Sequence, residues 1–355
     1  MRLWEQNFRD VEPYTPGEQP KNRNVIKLNT NENPYPPSPA VEKALREMDL
    51  ARLRKYPDPA AEELTEAIAD YYGITKDRVF PGVGSDDVIG MAFLTFFNGP
   101  KPVLFPNITY SFYDVWADLF KIPYETPALN ENFEVVPEDY FRENGGIVLA
   151  NPNAPTGVEL PLDQLEEIVR RNQASVVIVD EAYVDFGGES MIPLVDRYDN
   201  LLVIQTFSKS RSMAGARLGF AVGNAELIRD LNTLKYSTNP YNVNRMSSAA
   251  GIAALQEDDY YLQNARRIME NRAWTIDQLR ALGFEVTDSK SNFLFARSDR
   301  IDGAELYLGL KQRGILVRHF DKPRISAYVR ITVGTREQME ALLRETKSML
   351  EERDG

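Results

Sequence analysis

The sequence predicts an α/β fold: a mainly parallel central sheet flanked by helices, followed by a smaller α+β domain. Three observations carry this. Short apolar runs rich in β-branched residues recur at Pro102–Phe105, Ile147–Ala150, Val176–Val179, Leu201–Gln205 and Gly219–Val222. Runs apolar at every position belong to strands buried on both faces, the pattern of parallel sheets. Helical stretches lie between them, notably Leu162–Arg171, and alternating strands and helices build such a sheet. Beyond Gly283 the order changes to strand, strand, helix, strand, strand, helix, the order of a small α+β domain.

Each element follows in turn. Residues 1–40 carry Pro13, Pro16, Pro20, Pro34, Pro36, Pro37 and Pro39. Proline removes a backbone donor and fixes φ, so an extended arm is expected, able to wrap a neighbouring domain or subunit. From Ser38 the period turns helical, with Val41, Leu45 and Met48 on one face. A second helix is expected over Ala61–Tyr72, stopping at Gly73. Val79-Phe80 leads into Gly82-Val-Gly84-Ser85-Asp86-Asp87, then an apolar helix over Val88–Phe97. A long helix over Asp258–Leu282 ends at Gly283. Past it come strands at Phe284–Val286, Asn292–Ala296, Gly314–Val317 and Val329–Val333, with helices at Ala304–Gln312 and Arg336–Glu351. The expected organisation is an arm (1–40), a large domain (41–257) and a small C-terminal domain (258–355) packed with the N-terminal segment.

Composition narrows the chemistry. The 355 residues hold no cysteine, one histidine (His319), and a formal net charge of −12. Disulfides, thiolate nucleophiles and Cys-ligated metals are excluded. A multi-histidine metal site cannot be built within one chain. Acid–base work falls to Lys, Asp, Glu or Tyr, with an organic cofactor as a further source. An acidic chain argues against non-specific nucleic-acid binding. The richest apolar windows, such as Met91–Phe97, fall short of the ~20 residues of a membrane helix. The start shows no basic segment followed by an apolar run. A cytoplasmic location without membrane partners is expected.

Three strand ends carry candidate chemistry. Asp180 closes Val176-Val-Ile-Val-Asp180-Glu-Ala-Tyr183, and a carboxylate there faces the crevice where α/β proteins bind ligands. It reads equally well as a helix cap. Lys209, in Thr206-Phe-Ser208-Lys209, follows the next strand, and Arg217 lies eight residues on. Lysine loses its proton readily when desolvated and so serves in Schiff-base chemistry; an isolated lysine is ordinarily solvated. Gly82-Val-Gly84-Ser85-Asp86 enters a helix, where amides and dipole favour an anion; a plain turn gives the same residues. It is not the dinucleotide fingerprint, because the third glycine is missing. Two loops join these: Asn151-Pro-Asn153-Ala154-Pro-Thr-Gly157 and Asn107-Ile-Thr-Tyr110.

Taken in order, the glycine loop, aromatic, Asn-Pro-Thr-Gly-like loop, Asp-x-x-Tyr, Ser-Lys and Arg resemble the fold-type I pyridoxal-phosphate (PLP) aminotransferases. The resemblance covers nearly the whole chain. Four further segments resemble the histidinol-phosphate aminotransferase branch: Leu28-Asn29-Thr-Asn31-Glu-Asn33-Pro-Tyr35, Arg54-Lys-Tyr56-Pro-Asp58, Val179–Tyr183 and Val329-Arg330-Ile-Thr-Val-Gly-Thr-Arg336. Tyr14-Thr-Pro-Gly in the arm matches too.

The resemblance implies residue roles. Lys209 is the Schiff-base lysine and proton shuttle, and Asp180 pairs with the pyridinium nitrogen. Tyr183 bonds the cofactor's phenolic oxygen together with a loop asparagine. The family's usual asparagine before Pro-Thr-Gly is Ala154 here, so Asn153 is the expected substitute. Tyr110 stacks on the ring, although Ile108 replaces the family's flanking proline. Gly84, Ser85 and Asp86 amides, Ser208 and Arg217 cup the phosphate, with the Asp86 carboxylate turned away. Arg318 and Arg330 take the substrate's anionic end, and Tyr14, Asn29 and Tyr56 complete the pocket. Tyr56 reaches the cofactor site of a partner subunit, implying a homodimer. The implied reaction is L-histidinol phosphate plus 2-oxoglutarate to imidazole-acetol phosphate plus L-glutamate, in histidine biosynthesis.

Other readings share parts of this pattern. An aromatic aminotransferase and a threonine-phosphate decarboxylase use the same scaffold. A catalytically silent PLP-fold binding protein would not need Lys209, Asp180 and Tyr183 together, and a dehydrogenase would need the absent glycine.

Overall fold

The computed structural model describes residues 2, 4–5, 11–21 and 24–354; the rest of the expected 1–40 arm lies outside them. In chain order the elements begin β1 (Ile26–Lys27), α1 (Pro39–Arg46), α2 (Glu62–Tyr72), β2 (Val79–Gly82), α3 (Ser85–Phe96), β3 (Val103–Leu104), α4 (Tyr113–Phe120) and β4 (Tyr124–Glu125). There follow β5 (Gly146–Ala150), α5 (Leu162–Arg171), β6 (Val177–Asp180), β7 (Leu201–Thr206), β8 (Gly219–Gly223), α6 (Ala225–Thr238), α7 (Arg245–Leu255) and α8 (Asp258–Ala281). The last are β9 (Phe284–Val286), β10 (Phe293–Ser298), α9 (Gly303–Gln312), β11 (Ile315–Leu316), β12 (Arg318–His319), β13 (Val329–Thr332) and α10 (Arg336–Asp354).

Seven strands form the central sheet in the order β2-β8-β7-β6-β5-β3-β4. Strand β8 runs antiparallel to both neighbours, and the remaining pairs are parallel. Pro81 sits in edge strand β2, where a missing donor is tolerated. The two-residue period explains the uniformly apolar runs. Ile147, Leu149, Val177, Val179, Leu201 and Val203 enter one core, while Val148, Ile178, Leu202 and Ile204 enter the core on the opposite face. Register aligns Ala150, Asp180 and Ile204 across β5, β6 and β7, so their C-terminal ends open on one crevice.

A second, antiparallel sheet has the order β12-β13-β10-β9. Its Leu294, Ala296, Val329 and Ile331 pack with Ile268 of α8, Leu306 and Leu310 of α9, and Met339 and Leu342 of α10. The expected strand Gly314–Val317 is realised as β11 alone, and β12 follows just beyond its end. Strand β11 pairs in parallel with β1, since the Ile26 and Leu28 amides donate to the Gly314 and Leu316 carbonyls. Strand β12 turns to β13. The N-terminal segment is thereby stitched to the second sheet. Helices α6 and α7, not singled out by sequence, each begin at an asparagine, Asn224 or Asn244, whose side chain accepts a first-turn amide. No helix among the described residues is long and apolar enough to cross a membrane.

Candidate active site

A cavity of about 210 Å³ lies where β5, β6 and β7 end, walled by residues that include Asp86, Tyr110, Asp180, Tyr183, Lys209 and Arg217. A larger hollow of about 780 Å³ lies elsewhere, among Glu47, Arg52, Asp58, Glu62 and Arg245. It is rimmed mainly by surface charges and lacks the convergent buried groups of the strand-end cavity, which therefore has the character of a reaction site.

Asp180 is buried at the end of β6. Burial pushes its carboxyl up to about 6, while the Tyr113 hydroxyl and the Ala182 amide pull in the other direction. Those bonds measure 2.8 Å from Tyr113 to Oδ2 and 3.2 Å from Ala182 to Oδ1. Lys209, three residues past β7, extends its Nζ to 3.5 Å from the Thr30 carbonyl and 5.7 Å from the Tyr183 ring centre. The Asn33 amide holds the main chain here, donating to the carbonyls of Lys209 (3.0 Å) and Ser210 (3.2 Å). The Tyr183 hydroxyl accepts from Asn31 Nδ2 at 2.9 Å.

Helix α3 points its first turn at the cavity. Its cap, Gly84, has φ +86°, and a Cβ there would lie 2.6 Å from Arg217 Nη2. The positive φ calls for glycine, and the missing Cβ leaves room for the end of the Arg217 side chain. Ser85, Ser208 and Arg217 line the same wall. The Asp86 carboxylate is not turned away, contrary to expectation. It faces the cavity, accepting the Tyr110 hydroxyl at 2.7 Å and lying 3.1 Å from Arg217 Nη2. The Tyr110 hydroxyl is shielded from water and needs an acceptor, and Asp86 supplies it while also pairing with the half-exposed Arg217. Burial and this carboxylate hold the Tyr110 phenol well above its usual range.

Asn153 also departs from expectation. Its Oδ1 accepts from Thr109 Oγ1 at 2.8 Å, and its Nδ2 donates to the Ile108 carbonyl (2.9 Å) and Thr156 Oγ1 (3.0 Å). The amide is committed to holding two loops together. Ala154 lines the cavity instead, and its side chain offers no polar atom.

Arg330 and Arg318 face each other directly across β13 and β12. Like charges in that register repel; the pair is suited to share an anion. Arg330 lies between the Phe293 and Phe320 rings (5.3 and 5.4 Å) and donates to the Asn29 carbonyl at 3.2 Å. Its Nε is buried without a partner, and burial lowers its pKa. Arg318 spends its guanidinium on the arm, donating to the carbonyls of Thr15 (2.8 Å) and Pro16 (3.3 Å). Tyr14 stacks on Phe112 at 4.4 Å and meets Tyr110 edge-on at 6.3 Å. Burial raises its phenol while Arg330 and Arg318 lower it. Asn29 donates to the Glu18 carbonyl at 2.9 Å, leaving its Oδ1 buried and unpaired. Tyr56 is not part of this cluster: it is 76 % exposed and stacked on Tyr241 at 4.5 Å. His319 contacts the Ser326 carbonyl at 2.7 Å and stacks on Tyr307, a structural position.

Sequence reasoning missed Tyr113, Asn31, Asn33 and Thr332. Tyr113 lies three residues past Tyr110, at the start of α4, and the two rings meet edge-on at 5.7 Å. Asn31 and Asn33 belong to the Leu28–Tyr35 segment, where only Asn29 was assigned. Glu181, beside Asp180, is buried and pushed up to about 7 by desolvation. It accepts from Ser190, the Met191 amide and Gln205, and anchors the loop after β6. No cluster of metal-ligating side chains occurs among the described residues.

The family described as aminotransferase class I and II matches residues 23–345. A Clostridium botulinum protein named histidinol-phosphate aminotransferase is 47% identical over 349 residues, spanning 98% of this chain and 99% of that protein. Histidinol-phosphate aminotransferase 1 of Methylococcus capsulatus is 52% identical over 340 residues, spanning 96% and 95%. Among solved structures, histidinol-phosphate aminotransferase from Sinorhizobium meliloti in complex with pyridoxal-5'-phosphate shares the fold with TM-score 0.84 at 21% identity, covering 92% of this chain and 91% of that one. The chain belongs to the class I and II aminotransferase family.

Proposed function

We propose that this chain transaminates L-histidinol phosphate with 2-oxoglutarate, using PLP held in the strand-end cavity. The observation that carries the reading is the convergence of a lysine amine, a buried carboxylate and a helix-terminus arginine on one cavity of about 210 Å³. The relatives' shared name, histidinol-phosphate aminotransferase, supports the substrate.

The residues present fit the cofactor. The missing Cβ of Gly84 lets the Arg217 guanidinium come up against the α3 terminus, the α3 amides and Arg217 suit a phosphate dianion, and Asp180 suits a cationic ring nitrogen. When bound, PLP supplies a carbonyl carbon for amines and a ring that takes up the electron pair released at the substrate carbon. The protein does the rest. Lys209 Nζ holds the proton taken from the substrate carbon and returns it. Ionised Asp180 would keep the ring nitrogen charged. Tyr183 would donate to the phenolic oxygen, Tyr110 would flank the ring, and Ser85, Ser208 and Arg217 would hold the phosphate with the Gly84–Asp86 backbone. Arg330, aided by Arg318, Tyr14 and the Asn29 oxygen, binds the anionic end of each substrate, phosphate or carboxylate. A planar guanidinium matches both.

The active form in this reading is a homodimer. Tyr56, Leu50, Leu53 and Tyr241 expose a patch of large apolar side chains, which fits burial against a second copy and delivery of Tyr56 to its cavity. The test is a substrate panel: PLP-loaded protein with histidinol phosphate, phenylalanine, tyrosine or threonine phosphate, each with and without 2-oxoglutarate. The reading expects glutamate formation fastest with histidinol phosphate. Phenylpyruvate formation or CO₂ release without turnover of histidinol phosphate overturns it.

A further inference from the structure

We propose that Asn31 is a positioning residue that fixes the Tyr183 hydroxyl as a hydrogen-bond donor into the cavity. The inference rests on the cofactor reading above and deepens it.

The argument is one of hydrogen accounting. A tyrosine hydroxyl has one proton and two acceptor sites, while an amide NH₂ can only donate. Asn31 Nδ2, 2.9 Å from the Tyr183 oxygen, therefore occupies an acceptor site and leaves the phenolic proton free. The orientation of the amide is set on its other side. The Asn31 backbone amide donates to Thr332 Oγ1 at 2.9 Å, and that hydroxyl returns its proton to Asn31 Oδ1 at 3.2 Å. With Oδ1 taken as acceptor, Nδ2 is the atom facing Tyr183.

The mount is rigid. Asn31 is buried with φ +56°, a left-handed backbone that asparagine, aspartate and glycine tolerate best. Asn292 Nδ2 also donates to its carbonyl at 3.0 Å. Thr332 lies two residues from Arg330 on β13, so both point to the same face. The strand that offers the anion-binding arginine also anchors the amide that directs Tyr183.

The cavity gives this orientation a purpose. Ala154 and Ala182 form its wall nearby, and Asn153 is committed elsewhere. The Tyr183 proton is therefore the donor this wall can offer. The charged and titratable groups around the ring are Lys209, Arg330, Tyr14, Tyr110 and Tyr113, with Asp180 and Asp86 lining the same cavity. A donor aimed at the cofactor's phenolic oxygen stabilises negative charge there. It lowers the pH at which the adjoining nitrogen of the bound cofactor loses its proton.

The experiment is a pH titration of the visible absorption band of PLP-loaded protein. In Asn31→Asp a carboxylate replaces the amide and captures the Tyr183 proton, so the midpoint rises by about one unit, tenfold in proton affinity. Asn31→Gly keeps the left-handed backbone, frees the hydroxyl to rotate, and raises the midpoint by less. In a Tyr183→Phe background, Asn31→Asp adds no further shift. An equal shift in that background shows direct charge repulsion and overturns the inference, as does an unchanged midpoint in Asn31→Gly. A wild-type protein with no band that Lys209→Ala abolishes refutes the cofactor reading instead.

Discussion

Tyr113 donates to Asp180 Oδ2 at 2.8 Å from within the apolar layer below the cavity. That bond stabilises the ionised carboxylate against a burial that raises its pKa to about 6. The sign is the reverse of a surface salt bridge. In the folded apoprotein Asp180 holds its proton to higher pH than in the unfolded chain. Its contribution to stability is present below about 4 and is lost as pH rises through about 6. Relative to Asp180→Asn, the apoprotein should lose up to about 3 kcal/mol between those limits, measured by denaturant unfolding across pH. PLP affinity should run the other way, weakening below pH 6 in wild type by more than in Asp180→Asn. Tyr113→Phe should move the affinity transition up by about one unit; an unmoved transition means Tyr113 does not tune Asp180.

Lys209→Ala should abolish the visible band of the lysine-bound cofactor and reduce turnover by about 10³-fold or more. Added small amines should restore part of the rate, because the missing group is an amine rather than a structural support. Retained activity without added amine contradicts the role of Lys209.

Gly84→Ala should destabilise the protein by about 1–3 kcal/mol through its positive φ and displace Arg217 from the helix terminus. Equilibrium titration should show PLP affinity falling at least as strongly as stability. A loss of stability with unchanged affinity separates Gly84 from the phosphate cup.

Arg330→Met keeps a long buried side chain but removes the guanidinium. It should lower kcat/KM for anionic substrates by about 10²-fold, with Arg330→Lys recovering part. Arg318→Ala should cost less in kcat/KM, because Arg318 holds the Thr15 and Pro16 carbonyls. Its signature is faster proteolysis in the arm. Equal kinetic losses at both arginines would show that they act as one clamp.

The chemistry at strand ends was legible because it depends on local pattern. Asp180 and Lys209 sit where apolar runs stop, and α/β sheets put ligands there. Helix α5 matched its expected bounds because its apolar face has a clear period. Helix α7 did not announce itself: Ser247, Ala250, Gly251, Ala253 and Ala254 are all buried, so small residues surround it and the amphipathic period is lost. The side-chain directions of Asn153 and Asp86 are not encoded locally. The partners that decide those directions, Thr109 for one, Tyr110 and Arg217 for the other, come from loops distant in sequence. Asn31 reaches Tyr183 across 152 positions, and no local pattern encodes such a pairing.

The central claim is that one cavity passes an amino group from histidinol phosphate to 2-oxoglutarate, and a half-reaction tests it most directly. Stoichiometric histidinol phosphate added to PLP-loaded protein without 2-oxoglutarate should bleach the visible band in one turnover, releasing one equivalent of imidazole-acetol phosphate. Subsequent 2-oxoglutarate should restore the band and yield one equivalent of glutamate. A band unaffected by histidinol phosphate, or bleached by it but not restored by 2-oxoglutarate, would contradict the account.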